Sequence, residues 1–343
     1  MKKTSLVVSI LLILAITAAA QAGTILLNAA GATFPYPIYS KWFDVYHQKD
    51  PNIQINYQSI GSGGGIRQVL AGTVDFGASD GPMNDDQIKE FKEKRGTDIL
   101  HFPTVLGADV PTYNIAGVTG ELNFTQKAIA GIFLGTITKW NDPEIAKPNP
   151  GVNLPSSDIL VVHRSDGSGT TYVWTDFLSK ISPEWKTKVG FGTSVNWPLG
   201  VGGKGNEGVA GLVKQTPNTL GYVELVYAIQ NNMPYGKVQN ADGKFVKADL
   251  AGVTAAAAGA AKNMPNDFRV SITNAPGATS YPVSSFTWLL IPAQIPDAAK
   301  RDAIKGFLTW MLSDGQNYTE ALAYARLPKP VVEKELKAIS LVK

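Results

Sequence analysis

The chain has 343 residues, no cysteine, and 31 Lys plus Arg against 28 Asp plus Glu, a formal net charge of +3. A balance so near neutral gives no footprint for nucleic acid or acidic membranes, so a charged ligand must be met by a local group of residues. Without cysteine, disulfides and lipid attachment at a terminal cysteine are excluded.

The opening MKKTSLVVSILLILAITAAAQA reads as an export signal over 1–22: Lys2 and Lys3, an apolar run from Leu6 to Ile16, and Ala20-Gln21-Ala22 before a cleavage point at Gly23. The apolar run is shorter than the ~20 residues that span a bilayer, so a soluble, extracytoplasmic, unanchored chain is expected. The remaining length favours two domains.

PYPIYSKWFDVYHQK places Ile38, Trp42, Val45 and Tyr46 on one helical face, and NIQINYQSI alternates as a strand with Ile53, Ile55 and Tyr57 on one side. GSGGGIRQVLAG is a glycine turn entering a short helix that Gly72 can close, TVDFGASD is a short strand, and NDDQIKEFKEK starts a helix with acids in its first turn. The pattern restarts near Asn123. FTQKAIAGIFLG is a helix capped by Thr125, and KWNDPEIAKPNPGVNLPSSD is a turn-rich connection. ILVVHR reads as a buried strand, TTYVWTDFLSK as an amphipathic helix, and WPLGVGGKGNEGVAGLVKQ leads glycines into another helix. LGYVELVYAI reads as a central strand, ADLAGVTAAAAGAAK as a surface helix, and SYPVSSFTWLLIP as a late buried strand, with helices from about Asp297 to Lys337. The alternation is that of an α/β protein. A late strand followed only by helices suggests that the C-terminus returns to complete an earlier domain.

Three glycine-bearing turns precede helical patterns: GATFPYP at 31–37, GSGGG at 61–65 and DGSGTT at 166–171. Free N–H groups and the helix dipole attract an anion at such places, and Thr33, Ser62, Ser168 and Thr170 add hydroxyl donors. Nucleotide motifs fail: GSGGGI lacks the last glycine of G-x-G-x-x-G, and GVGGKG has Gly205 where a Walker loop needs Ser or Thr. No His or Cys pair has metal-ligand spacing, and no cofactor is implied. Trp140, Trp174, Trp185 and Trp197 can stack on a sugar, but such residues more often fill a core.

Ser168 can be read as a nucleophile or as a donor in an anion cradle. A nucleophile needs a base within reach, and the chain has only His47, His101 and His163. His163 alternates with Arg164 on a strand and so faces away if Arg164 faces the site, and Asp166 breaks the G-x-S-x-G elbow. A base from elsewhere stays open. Arg164 would supply a charged fork. Asp80 is useful to an anion only if the ligand carries a proton.

The stretches AAGATFPYPIYSKW, NYQSIGSGGGIRQVLAGTVDFGASDGPM, HFPTVLG, IFLGTITKWNDPEIAKPNPG, VVHRSDGSGTTYVWTDFLSK and WPLGVGGKGNEGVAGLVKQTPNTLGYVE resemble the PstS family, the periplasmic phosphate-binding proteins of phosphate ABC transporters. The resemblance implies a two-lobed periplasmic-binding-protein fold (type II-like) with ligand in the interlobe cleft. Lobe one would comprise 23–113 and 283–343, lobe two 114–282, with hinges near 110–116 and 278–284. It implies inorganic phosphate as ligand, permease subunits as partners, a monomer, no nucleic acid, and no catalytic residue. The implied ligands are Thr33, the backbone N–H of Phe34, Ser62, Asp80, Arg164, Ser168, Gly169 and Thr170, with Asp166 holding the arginine fork. Some relatives have Ser in place of Gly63, where a contact would be lost, and Ala in place of Gly81, where only turn flexibility would change.

Overall fold

The computed structural model describes residues 23–118 and 120–343; the export signal expected over 1–22 lies outside the described residues. No helix among the described residues is long and apolar enough to cross a membrane.

The elements run β1 (Ile25–Gly31), α1 (Tyr36–Lys49), β2 (Ile53–Ser59), α2 (Ser62–Ala71), β3 (Phe76–Ser79), α3 (Asp85–Arg95) and β4 (Ile99–Asn114). They continue as β5 (Asn123–Phe124), α4 (Gln126–Leu134), α5 (Pro143–Ala146), β6 (Leu160–Arg164), α6 (Gly169–Ile181), α7 (Pro183–Lys188), β7 (Val201–Gly203) and α8 (Gly205–Gln215). The rest are β8 (Thr219–Glu224), α9 (Leu225–Gln230), β9 (Lys237–Gln239), β10 (Phe245–Val246), α10 (Leu250–Lys262), β11 (Ser284–Pro292), α11 (Ala298–Met311) and α12 (Lys329–Ala338). Local chemistry sets several boundaries. Asn84 and Gln87 form a capping box on α3, Thr125 caps α4, and Gly72 closes α2 in the left-handed conformation.

One eight-stranded sheet runs β2-β1-β3-β11-β4-β8-β6-β7. Strands β1, β2 and β3 are parallel, and β11 is antiparallel to both β3 and β4. The long strand β4 joins two halves: Ile99 to Ala108 pair with β11, whereas Asp109 to Asn114 pair with β8, antiparallel, next to β6 and β7. The change of partner falls at Ala108/Asp109, a few residues before the expected 113/114 division. The sequence pattern does not mark β4, because its residues are buried on both faces and therefore do not alternate. After β11 the chain packs α11 on β1, in the first half.

One element differs from expectation. The strand within LGYVELVYAI stops at Glu224, whose carboxylate accepts from Val226 N–H at 2.8 Å and caps α9, so the tract is strand then helix. The Ala-rich α10 is a surface helix: Val253, Ala256, Ala257 and Ala261 face β4 and β11, while Ala251, Thr254, Ala258 and Lys262 are exposed. Trp140, Trp174 and Trp185 are fully buried, and Trp174 stacks on Tyr222 at 5.1 Å, so these indoles fill the core rather than face a sugar.

Candidate functional site

The three glycine turns lie at the carboxyl ends of β1, β2 and β6, and they lead into α1, α2 and α6. Strand β6 runs antiparallel to β1 and β2, so the carboxyl ends of the two sets, with the helix N-termini that follow them, face each other where β4 changes partner. There the two halves meet: Gly63 N–H donates to Gly167 O at 2.9 Å. Thr33, Ser62, Asp80, Arg164, Ser168 and Thr170 are all buried, between 0% and 3% exposed.

Arg164 ends β6. Its Nε donates to Asp166 Oδ1 at 2.8 Å and its Nη2 to Oδ2 at 2.6 Å, a bidentate pair that fixes the fork. Its Nη1 donates to Thr170 Oγ1 at 3.2 Å. Asp166 also accepts from Gly205 N–H at 3.0 Å. Although burial opposes its charge, the Arg164 guanidinium and that N–H hold the Asp166 carboxyl below its ordinary value.

Asp80 lies just beyond β3. Thr287 Oγ1 donates to its Oδ1 at 2.7 Å, while Oδ2 has only a long 3.4 Å contact from Ser62 Oγ. Burial pushes the carboxyl up to about 7, against the opposing pull of Thr287, Arg164 and Ser62. Oδ2 is thus the oxygen free to accept a proton-bearing group.

The four hydroxyls share one polarity. Ser62 Oγ accepts from Asp80 N–H at 3.2 Å, and Ser168 Oγ accepts from Thr171 N–H at 3.0 Å as the cap of α6. Thr33 Oγ1 accepts from Asn206 Nδ2 at 2.8 Å, and Thr170 Oγ1 from Asn206 Nδ2 at 3.0 Å as well as from Arg164. A hydroxyl has one proton and acceptor lone pairs. With acceptor sites engaged by N–H groups, the protons of Thr33, Ser168 and Thr170 are left to donate, while that of Ser62 makes the long contact with Asp80 Oδ2. The first N–H groups of α2 and α6 are likewise without intrahelical partners. Phe34 sends its ring under Gly107, where an added Cβ would stand 2.6 Å from the ring, so only its backbone can serve the site.

Ser168 has no catalytic base beside it. His163 stacks on Trp197 at 4.8 Å and bonds Arg164 O through Nδ1. His101 accepts from Met83 N–H at 3.1 Å and is lowered to about 3 by burial, and His47 bonds Ile53 O. Among the described residues no group of three His, Cys, Asp or Glu could hold a metal ion.

Sequence reasoning missed Asn206 and Thr287. Asn206 is the second residue of α8, the helix after the rejected GVGGKG run, and it ties Thr33 of one half to Thr170 of the other. That run was a fourth glycine turn before a helix, a signal of the same kind as the three singled out. Thr287 lies mid-strand in β11 and carried no local signal. The two glycine positions also read differently. Gly63 abuts Gly167, where an added Cβ would stand 3.0 Å from its Cα. Gly81 is not a matter of turn flexibility, because a Cβ there would stand 2.5 Å from the Tyr172 ring across the junction.

A family model described as a PBP superfamily domain matches residues 17–315. A phosphate-binding protein PstS of Xylella fastidiosa (strain Temecula1) is 46% identical over 93% of this chain and 86% of its own length. One of Methanocaldococcus jannaschii is 41% identical over 93% and 87%. Among solved structures, a high-affinity periplasmic phosphate-binding protein (PfluDING) bound with phosphate superposes with a TM-score of 0.72 at 19% identity, covering 91% of this chain and 93% of that one. A phosphate-binding protein of Stenotrophomonas maltophilia gives 0.68 at 19% identity over 92% and 94%. At such identity the structural likeness speaks to the fold, a two-lobed binding-protein fold.

Proposed function

Because the chain belongs to the PBP superfamily, and within it to the PstS family, we propose that it binds inorganic phosphate between its lobes and hands it to a phosphate ABC importer without reacting on it. The observation that supports this reading best is the shared polarity of Thr33, Ser62, Ser168 and Thr170, buried hydroxyls that each accept an N–H, near one carboxylate oxygen of Asp80 with only a long contact. Hydroxyls, the N–H groups of Phe34, Gly169 and Thr170, and Arg164 donate to the phosphate oxygens; Asp80 Oδ2 accepts from the P–OH.

The charges explain the choice of anion. Arg164 is already balanced by Asp166, so the ligand charge is met mainly by oriented dipoles at helix N-termini. Phosphate near neutral pH keeps a P–OH for Asp80. Sulfate has none and would set an oxygen against a buried carboxylate, at a cost of about 1–3 kcal/mol or more.

Lobe one is read as 23–113 with 283–343 and lobe two as 114–282, hinged near 110–116 and 278–284. Phosphate contacts from both lobes favour the closed arrangement, whose paired surface docks on membrane permease subunits. Export to the periplasm as an unanchored monomer, without enzymatic activity, completes the reading. Competition calorimetry with phosphate, sulfate and arsenate tests it. Phosphate should bind tightly and displace sulfate, and equal affinities for the two would refute it.

A further inference from the structure

Asp109 and Glu224 have no role among the proposed ligands. They are paired directly across β4 and β8, so both side chains stand on one face of the sheet. Asp109 is the residue at which β4 leaves β11 for β8, and its N–H donates to Val283 O at 2.9 Å. Both carboxyls are fully buried. Neither oxygen of Asp109 has a hydrogen-bond partner among the described residues, nor has Oε1 of Glu224. Glu224 Oε2 accepts from Val226 N–H and lies 3.4 Å from Tyr324 OH, whose proton goes to Phe34 O at 2.6 Å. The pair therefore lies where β4 passes between the lobes, beside the backbone that carries a proposed ligand.

Two adjacent, fully buried carboxylates with no cation among the side chains around them cannot both stay ionised at this depth. The groups facing Asp109 do not relieve them. Asp80 and Glu224 oppose its charge, and Arg164 favours it but is committed to Asp166. Tyr281, whose OH donates to the Asp109 carbonyl, and Tyr222 bring no positive charge. Around Glu224 stand Tyr324, Tyr227 and Asp80, and again no cation. Opening the lobes would part the Tyr324 and Asn206 bridges and admit water to the pair, where a carboxyl ionises at its ordinary value of about 4.

We propose that Asp109 and Glu224 form a proton-binding site at the lobe crossing, so that closure on phosphate draws a proton from bulk solvent onto one of their carboxylate oxygens. This rests on the phosphate reading. A group more basic in the closed state strengthens closure at low pH and loses that effect as pH rises, by up to about tenfold in affinity per pH unit for one proton. The pair would make phosphate capture pH-dependent through a group that does not touch phosphate.

The test is phosphate titration calorimetry in buffers of different ionisation heats, which counts protons taken up per phosphate, with wild-type protein and the double variant Asp109→Asn, Glu224→Gln over a range of pH. The wild type should take up about one proton more than the variant, and its affinity should fall more steeply with pH. Equal proton counts and equal slopes would overturn the proposal. Should the double variant not fold, a phosphate-induced infrared difference spectrum decides: a protonated carboxylic acid band should appear in the wild type and persist in Asp80→Asn. Absence of that band would also overturn it. No phosphate binding by the wild type would refute the phosphate reading itself, whereas binding with equal counts refutes only the proton site.

Discussion

Gly169 packs its Cα against Asp80 across the lobe junction, so closely that an added Cβ would stand 2.6 Å from Asp80 Cβ and overlap both the carboxylate and Ser62 Oγ. The glycine is there for close approach. Its conformation is helical and could accommodate any residue.

Gly169→Ala should therefore keep the fold and weaken closure, with phosphate affinity falling about 5- to 150-fold, since a methyl forced into packed atoms costs about 1–3 kcal/mol. Gly211→Ala in α8 is the control. A Cβ there meets nothing within 4 Å, so this variant should bind normally and gain roughly 0.5–1 kcal/mol of stability. Calorimetry and thermal melts on the two variants separate closure from folding; normal binding by Gly169→Ala would remove the close-approach account.

Asp80→Asn replaces the accepting Oδ2 by a group that can donate. Phosphate should weaken and sulfate strengthen, narrowing a gap estimated at about 10- to 100-fold for one unpaired buried contact. Competition titration measures it, and an unchanged ratio would show that Asp80 does not discriminate.

Ser168→Ala removes one proposed ligand donor and the cap of α6, so phosphate affinity should drop and stability fall by about 1 kcal/mol. Wild-type protein should leave phosphate esters intact over long incubation. Turnover that vanishes in Ser168→Ala would instead make Ser168 a nucleophile and sink the receptor reading.

Stability without ligand should decline as pH rises. Parting of the lobes leaves Glu335 untouched, because it is buried on α12 outside the lobe crossing, and burial raises its carboxyl well above the ordinary value. Folded protein then binds more protons than unfolded protein, so this contribution is full below the ordinary carboxyl value and is lost as pH rises toward the raised one. If even 1 kcal/mol of it survives relaxation, Tm at pH ~5 should exceed Tm at pH ~8 by roughly 2 °C or more. A Tm that is flat or rises over that range would show the Glu335 carboxyl to be hydrated or compensated.

Element types were legible where local chemistry decides them. The alternation of Ile53, Ile55 and Tyr57 marked β2, and Thr125 marked the start of α4. Strand β4 was not legible, because burial on both faces erases alternation. In the site, Arg164, Asp166, Ser168, Gly169 and Thr170 were legible together because they sit on one strand, turn and helix start. Thr287 was not, because its meaning comes from Asp80, more than two hundred residues away along the chain.

The amino-acid sequence by itself determined the α/β class, the glycine turns before helices, and the types of group that can hold a protonated anion, since these rest on neighbours along the chain. Only long-range packing decided that those turns face one another across the two halves, that Asn206 joins Thr33 to Thr170, that Gly81 lies under Tyr172, and that Asp109 faces Glu224. Sheet pairing makes these relationships, and pairing between distant strands depends on the packing of the whole chain rather than on any local signal.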